Sequence, residues 1–274
     1  MTTATLDTRA FDYIANLIRT KAAIVIEPGK TYLVESRLNP VARENGLSSI
    51  EHLVEALQKP GSQRLHQQVI EAMTTNETSF YRDLHPFDAL RQQVLPELIK
   101  SRSKERTLSI WSNACSSGQE VFSIAMLIRE HFPELLNWKL RLIASDLSTQ
   151  ILNKAQEGIF NQTEINRGLP MPLLLKNFEK KGLQWQIRED VRKMVEFKVV
   201  NLIESFPMMP AFDIVFLRNV LIYFAPQSKQ DILNKVHRGM KPDGYLFLGG
   251  AETTMNLNVA FKRESVGKTV CYRP

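Results

Sequence analysis

Apolar residues recur at helical spacing in the first quarter of the chain. The two clearest series are Phe11, Ile14, Ala15 and Ile18, and Leu47, Ile50, Leu53, Val54 and Leu57. Steps of three and four residues place side chains on one face of an α-helix. Pro28-Gly29 and Pro60-Gly61 interrupt the pattern and indicate turns. The pattern therefore predicts a small all-α domain over residues 1–75.

From about residue 107, short apolar runs alternate with amphipathic segments. TLSIWS, LRLIAS, FDIVFL and GYLFLGG are typical of buried strands, whereas GQEVFSIAMLIREHF and SKQDILNKVHRGM are typical of helices. This alternation predicts an α/β domain with a mostly parallel sheet over residues 107–274. A helix is expected over residues 84–104, within a linker at 76–106. Residues 160–200 lack the alternation, which indicates an insertion.

The composition fits a globular chain of about two domains. With 43% hydrophobic and 23% charged residues among 274, disorder is disfavoured. The net charge of +6 permits a nucleic acid, an anionic surface or an acidic protein as partner, without choosing among them. Cys115 and Cys271 have no metal-ligand spacing, and the N-terminus does not resemble a signal peptide. No apolar run reaches the ~20 residues of a membrane span, so a cytoplasmic location is expected.

Two candidate binding segments follow the first two predicted strands. The loop WSNACSSGQE, residues 111–120, is rich in small residues, yet it contains neither GxGxxG nor a phosphate-loop motif. It could hold a nucleotide-like cofactor or be a plain strand-to-helix turn. Asp146 ends the second strand, where a carboxylate can accept hydrogen bonds from ribose hydroxyls. The alternative is a helix N-cap, a role that Ser148 could share.

Two further segments concentrate polar side chains beside apolar ones. MTTNETSFYRD, residues 73–83, carries five Ser, Thr or Asn side chains before Arg82. In FDIVFLRNVLIYF, Arg218 and Asn219 end a buried strand. Burying such a pair is costly unless a ligand or protein partners satisfy it, so a site is favoured over a structural salt bridge.

TTNETSFYRD, WSNACSSGQEVFSIAM, FDIVFLRNVLIYF and GYLFLGGAET match, in order and spacing, the chemotaxis receptor methyltransferases of the CheR type. The resemblance covers about residues 70–255. It implies a class I methyltransferase with a Rossmann-like sheet, a small all-α N-terminal domain and a small β insertion. It also implies S-adenosyl-L-methionine (SAM) as cofactor, S-adenosylhomocysteine (SAH) as product, and protein-glutamate O-methyltransferase activity. The expected substrates are glutamates on the cytoplasmic helices of chemoreceptors, the methyl-accepting chemotaxis proteins.

The family's motifs imply roles for individual residues of this chain. Arg82 and Tyr223 are expected at the reacting groups, with Arg82 holding the substrate carboxylate and Asp83 orienting Arg82. The alternative for Arg82 is a structural ion pair with Asp83 or Asp146. The residues expected at the cofactor are Asn76, Thr78, Arg82, Glu120, Asp146, Asn201, Leu202, Arg218 and Asn219. Gln119 departs from the family's usual STGEE, whereas the acidic residue after it is kept, and no metal is expected.

The expected chemistry needs few catalytic groups, because a glutamate carboxylate with a pKa near 4.3 is ionised at neutral pH and requires no base. Two other functions stay open. One is SAM-dependent methylation of nucleic acid, although the Asn/Asp-Pro-Pro-aromatic motif is absent. The other is a non-catalytic SAM-binding or receptor-tethering module.

Neither nucleic acid binding nor membrane insertion is expected. The resemblance also has a consequence for how the protein binds receptors. Some family members capture a receptor's C-terminal pentapeptide by strand addition to the β insertion, using an extended glycine-containing loop. Here a short turn at Lys181-Gly182 predicts that high-affinity pentapeptide binding is absent. Receptor recognition is then expected on the helical domain through its basic side chains, namely Arg19, Lys30, Arg37 and Arg43.

Overall fold

The computed structural model describes residues 6–274 and divides the chain into two units. The first contains the chain through Thr75 together with Tyr223–Ser228, and the second contains Asn76–Ile222 and Lys229–Pro274. No helix within the described residues is both long enough and apolar enough to cross a membrane.

The first unit is helical, as the apolar spacing predicts. Its helices are α1 (Thr8–Ala22), α2 (Thr31–Glu44), α3 (Ile50–Leu57) and α4 (Gln63–Met73). Ile14 and Ile18 of α1 are fully buried, as are Leu38 of α2 and Leu53 of α3. The predicted helical face therefore forms the core of this unit.

Arg37, one of the basic residues expected to meet receptor helices, also takes part in this unit's internal structure. Its Nη1 donates to the carbonyl oxygens of Met73 (2.6 Å) and Thr74 (3.0 Å), and its Nη2 donates to Thr75 Oγ1 (2.9 Å). The last carbonyls of a helix lack partners within the helix, so Arg37 caps the end of α4. Lys30, another expected docking residue, forms an ion pair with Glu27 at 3.0 Å.

The second unit contains a seven-stranded sheet and a separate three-stranded sheet. Its helices are α5 (His85–Ala89), α6 (Leu95–Ser101), α7 (Gln119–His131), α8 (Thr149–Glu157), α9 (Gln162–Asn166), α10 (Met171–Asn177), α11 (Glu189–Arg192) and α12 (Pro226–Arg238), the last beginning in the first unit. Its strands are β1 (Thr107–Asn113), β2 (Lys139–Asp146), β3 (Ile159–Asn161), β4 (Phe178–Lys181), β5 (Gln184–Ile187), β6 (Val195–Val199), β7 (Phe212–Leu217), β8 (Met240–Leu248), β9 (Lys262–Val266) and β10 (Thr269–Arg273). The helix predicted over residues 84–104 is present, with a π-helical turn at Leu90–Val94 between α5 and α6.

The large sheet has the strand order β6-β2-β1-β7-β8-β10-β9. Neighbouring strands from β6 through β8 are parallel, and the β9–β10 hairpin adds antiparallel pairs at one edge. The first four of these strands, β6, β2, β1 and β7, therefore end at one edge of the sheet, which is where ligands bind in open α/β folds. The mostly parallel sheet predicted from the sequence is confirmed.

The insertion forms the three-stranded antiparallel sheet, with the order β3-β5-β4. Lys181 pairs with Gln184, so the connection between β4 and β5 is Gly182-Leu183. The predicted turn at Lys181-Gly182 is thus displaced by one residue. The predicted short β connection is present.

A buried ion cluster lies at the start of β7. The Asp213 side chain is fully buried and accepts hydrogen bonds from Arg102 Nε (2.9 Å), Lys241 Nζ (2.8 Å) and the Ser109 N–H (2.9 Å). Arg102 also pairs with Asp243 at 2.5 Å. A buried carboxylate is tolerated only when it is paired and hydrogen-bonded in this way, so Asp213 joins β1, β7 and β8 at the edge opposite the candidate site.

Candidate active site

The loop from Asn113 to Gly118, at the end of β1, has an unusual backbone. Ala114 (φ 50°), Ser116 (φ 51°) and Gly118 (φ 91°) all lie in the left-handed region. Such conformations persist when the surroundings hold them, and they concentrate at ligand sites. A Cβ at position 118 would lie 3.0 Å from the Phe122 ring and 3.2 Å from Ala155 Cβ. The loop is therefore held close to α7 and α8, with small side chains at the sheet edge.

The Asp146 carboxylate binds the β1 loop and the turn that follows β2. Its Oδ2 accepts from the Ser116 N–H at 2.9 Å, and its Oδ1 accepts from the Ser148 N–H at 3.1 Å. The N-cap of α8 is Ser148, whose side chain accepts from the Ile151 N–H. Asp146 is thus a buried carboxylate fixed between the ends of two neighbouring strands rather than the helix cap.

Arg218, directly after β7, is the centre of an ion network. Its Nη1 donates to Glu120 Oε2 at 2.8 Å, and its Nη2 donates to Asp83 Oδ2 at 2.7 Å and to the Arg82 carbonyl at 2.9 Å. Glu120 Oε1 accepts from Ser112 Oγ at 2.8 Å. The Arg218 side chain is only 1% exposed. Both of its terminal nitrogens are therefore committed to the protein, which places Glu120, Asp83 and Arg218 together at the sheet edge.

This network corrects the expected pairing of Arg82 with Asp83. Arg82 Nη1 donates to the Glu77 carbonyl at 3.0 Å, and among the residues described the Arg82 guanidinium forms no ion pair. The Asp83 carboxylate instead neutralises Arg218. Asp83 has a positive φ (65°), as do Tyr81 (48°) and Leu84 (46°) in the same segment. Arg82 is half-buried, and its charge, after the hydrogen bond and charge of Arg167, helps to lower the pKa of the nearby Glu77.

The segment that carries Arg82 is fixed from two directions. Ser116 Oγ donates to the Asn76 carbonyl at 2.8 Å, which joins the segment to the β1 loop. The Tyr81 N–H donates to Ser123 Oγ at 3.0 Å, on the first turns of α7. These two hydrogen bonds join the Asn76–Arg82 segment to the β1 loop and to α7.

The β insertion also contacts this segment. The Phe80 N–H donates to the Arg167 carbonyl at 3.2 Å, and a Cβ at Gly168 would lie 2.1 Å from the Phe80 oxygen. The Phe80 ring packs edge-on against Phe160 of β3 (5.1 Å between centroids) and Phe178 of β4 (5.8 Å). Position 168 therefore needs glycine, because any side chain would displace the Phe80 backbone.

Asn201 and Leu202 follow β6, next to the end of β2. The Val200 N–H donates to the Asp146 carbonyl at 3.0 Å, which places Asn201 beside that strand end. The Asn201 amide nitrogen donates to Glu204 Oε1 at 2.9 Å. Lys235 Nζ donates to the Leu202 carbonyl, and burial lowers the pKa of Lys235. The Leu202 side chain is buried and can present an apolar surface at this edge.

Gln119 is the departure from the family motif, and Tyr223 lies in a different unit from the other expected residues. Gln119 is buried, and its side-chain oxygen accepts from Ser117 Oγ at 2.8 Å. The residue that departs from the family motif thus forms its hydrogen bond within the loop. Tyr223 belongs to the helical unit, where its carbonyl accepts from the Val25 N–H at 3.0 Å. The remaining expected residues belong to the second unit.

One functional candidate was not predicted from the sequence. The Glu252 carboxylate accepts hydrogen bonds from the N–H groups of Gly249, Asn219, Val220 and Ile222. It lies in GGAET, a segment that contributes to the family resemblance. Nothing in the sequence, however, pairs an acidic residue with backbone groups about thirty positions earlier.

The residues at the sheet edge fit the cofactor expected from the resemblance. The small side chains and left-handed backbone of residues 113–118 allow close approach, and the buried Asp146 carboxylate lies where a ribose would be bound. Among the residues described, no group of three or more His, Cys, Asp or Glu side chains could hold a metal ion.

Comparisons with known proteins identify the family of this chain. The model of the CheR methyltransferase SAM binding domain matches residues 76–270, and that of the CheR methyltransferase all-alpha domain matches residues 9–74. Chemotaxis protein methyltransferase 1 of Pseudomonas aeruginosa is 40% identical over 269 residues, covering 96% of this chain and 97% of that protein. Chemotaxis protein methyltransferase Cher2 of Pseudomonas putida is 40% identical over 261 residues, covering 94% of each.

A solved structure of the glycopeptide N-methyltransferase MtfA complexed with SAM aligns with 64% of this chain and 51% of that chain, at 13% identity and a TM-score of 0.38. The family models and the full-length relatives confirm the resemblance, the class I fold and the cofactor. The chain is therefore a SAM-dependent methyltransferase and belongs to the CheR methyltransferase family.

Proposed function

We propose that this protein transfers the methyl group of SAM to glutamate side chains on the cytoplasmic helices of chemoreceptors, as a protein-glutamate O-methyltransferase in the cytoplasm. The products are glutamate methyl esters and SAH. The observation that carries the proposal is that the Arg82 guanidinium forms no ion pair within residues 6–274. Arg218 forms ion pairs with two carboxylates, whereas Arg82 forms no ion pair with any described residue. A cation held in this way suits an anionic acceptor.

The chemistry rests on positioning. SAM supplies a methyl group bonded to a sulfonium, and the acceptor is already an ionised carboxylate, so no base has to be recruited. Arg82 donates to one carboxylate oxygen and leaves the other free to attack. Alignment of this kind can lower a barrier by about 7–11 kcal/mol. Tyr223, the second expected residue at the reacting groups, is proposed for the methyl path.

The cofactor residues have distinct proposed roles. Asp146 accepts from the ribose hydroxyls, while Asn201 and Leu202 lie against the adenine. Asn76, Thr78 and Asn219 supply neutral hydrogen bonds toward the amino-acid end. Glu120 keeps lone pairs free beyond its bonds to Ser112 and Arg218, and can accept from the cofactor's ammonium group. Arg218 supports this set by holding Glu120 in place.

Labelling tests the proposed substrate class directly. Purified protein is incubated with SAM carrying a radioactive methyl group and with soluble chemoreceptor cytoplasmic fragments. Methyl esters release volatile methanol in base, whereas methyl groups on nitrogen do not. Base-labile label on the fragments, lost when their glutamates are replaced by alanine, is the expected result. Base-stable label, or label on RNA or DNA instead, would contradict the proposal and favour nucleic acid methylation.

Turnover separates an enzyme from a binding module. With receptor fragments present, wild-type protein is expected to convert SAM to SAH over many cycles. Binding of SAM without any SAH formation, across a panel of receptor fragments, would favour the non-catalytic alternative.

A further inference from the structure

The chain after β7 turns sharply, directly at the two residues assigned to the cofactor. Asn219 has φ 58°, in the left-handed region that asparagine tolerates better than most residues but that still needs support. Because Arg218 precedes it, the conformation of Asn219 sets where both side chains lie.

A single carboxylate supports this turn. Glu252 Oε2 accepts from the Asn219 N–H at 2.8 Å, and Oε1 accepts from the N–H groups of Val220 (2.9 Å) and Ile222 (3.2 Å). A fourth N–H, from Gly249 at the end of β8, donates to Oε2 at 2.7 Å. Backbone N–H groups that converge in this way form an anion-binding nest. Here the anion is a side chain of the protein itself.

The charge of Glu252 is compensated by these amides. Among residues 6–274 no cationic side chain forms an ion pair with Glu252. A carboxylate that served only solubility would extend into solvent, whereas this one is half-buried with both oxygens occupied. The carboxylate therefore clamps the end of β7 to the end of β8.

Gly249 makes room for the clamp. A Cβ at position 249 would lie 2.7 Å from Glu252 Oε2, 2.7 Å from Asn219 Nδ2 and 2.8 Å from the Asn219 nitrogen. The next residue, Gly250, has nothing within 4 Å of the same added atom. A side chain at position 249 would therefore clash with Glu252 and Asn219, whereas a side chain at the neighbouring position 250 would have space.

The clamp borders the Arg82 segment. Glu252 and Gly249 line a cavity of about 430 Å³ together with Asp83, the carboxylate that pairs with Arg218. Two carboxylates therefore hold the same turn. Glu252 accepts from the backbone N–H groups of the turn, and Asp83 accepts from the Arg218 side chain.

We propose that Glu252 is a positioning residue for cofactor binding, which acts by holding the Arg218–Asn219 turn through four backbone hydrogen bonds. This inference rests on the proposed place of Asn219 at the cofactor. It does not depend on glutamate being the methyl acceptor.

The test measures SAH affinity by calorimetry, together with thermal unfolding, for Glu252→Gln and Gly249→Ala. A glutamine amide presents N–H groups to N–H donors, and an alanine at 249 displaces Asn219, so each variant is expected to weaken SAH binding at least tenfold. Glu105→Gln, at an exposed residue, and Gly250→Ala are the matched controls, with affinity expected within twofold of wild type. Glu252→Asp should recover part of the affinity.

Wild-type SAH affinity in both Glu252→Gln and Gly249→Ala would overturn the proposal. It would also be overturned if affinity fell only in proportion to the unfolded fraction, since Glu252 would then be merely structural. If Glu252→Gln does not fold, the test is the comparison of SAH affinity between Gly249→Ala and Gly250→Ala. SAH binding requires no methyl acceptor. The SAH affinities therefore test the role of Glu252 even if the receptor fragments are not methylated.

Discussion

Arg218 donates to the Asp83 carboxylate at 2.7 Å, across 135 residues of sequence. The contact takes Asp83 away from Arg82, its neighbour in the chain. An arginine next to an aspartate looks neutralised in the sequence, but here the aspartate is directed to a different cation. Arg82 consequently retains its charge for a ligand.

Arg82→Ala is expected to fold, to bind SAH within a few-fold of wild type and to lose about 10²–10³ in turnover, the scale for one preorganised charged donor. Arg82→Lys should recover little, because an ammonium lacks the planar donor geometry of the guanidinium. Initial rates at saturating SAM are measured beside calorimetry. Weak SAH binding with a near-normal rate at saturating SAM would assign Arg82 to the cofactor and leave Tyr223 as the main group that positions the substrate.

Asp146→Ala should weaken SAM and SAH binding tenfold or more, because each hydrogen bond to a charged group contributes about 1.5–3 kcal/mol. The variant also removes the carboxylate that accepts from the Ser116 and Ser148 N–H groups. Ser148→Ala is the control, since it removes the α8 cap at a cost of about 1 kcal/mol in stability and leaves the carboxylate intact. Equal SAH affinity in the two variants would show that Asp146 only shapes the loop.

Gly168→Ala is expected to reduce turnover at least tenfold and to lower the unfolding temperature, because the new Cβ would lie 2.1 Å from the Phe80 oxygen. Gly182→Ala is its control. Both positions have a left-handed backbone, at φ 90° and φ 62°, and so share a penalty of about 1–2 kcal/mol. Only Gly168 also has a clash, since nothing lies within 4 Å at Gly182. Matching turnover in the two variants would contradict the role of Gly168 in placing the Arg82 segment.

The sequence predicted those features that local patterns encode. The apolar runs of β1, β2 and β7 and the helical periodicity of α1 are local signals, and the polar residues that follow the strands marked the sheet edge. The partners of Asp83, Arg37 and Glu252 were not predictable, because each is chosen by residues far along the chain. The β9–β10 hairpin was also missed, although Gly267-Lys268 between two alternating stretches is a usable two-residue turn signal.

Asp213→Ala should destabilise the fold by about 1–3 kcal/mol, because it removes the carboxylate shared by the partly buried Lys241 and Arg102 and leaves the buried Ser109 N–H without its acceptor. Asp190→Ala removes an exposed ion pair with Arg129 and should cost at most about 1 kcal/mol. Urea unfolding measures both variants. A loss below 1 kcal/mol for Asp213→Ala would show that the buried cluster adds little to stability.

Titration with a receptor C-terminal pentapeptide tests the docking prediction. The connection between β4 and β5 is only Gly182-Leu183, so we expect no binding at micromolar peptide concentrations. β4 is an edge strand of its sheet, so its backbone could in principle pair with a peptide. Micromolar affinity, abolished by a proline within Glu179–Lys181, would refute the argument from loop length.

Strand β7 carries an ion cluster at each end, with Asp213 at its start and Arg218 just after its last residue. Five residues of extended chain separate them by roughly 17 Å, and within residues 6–274 no hydrogen bond or ion pair of one cluster involves a residue of the other. At that separation and without shared partners, the energetic effects of substitutions in one cluster should add to those in the other. Substitutions around Asp213 could therefore raise or lower the unfolding temperature of this protein without changing the activity that depends on the residues around Arg218.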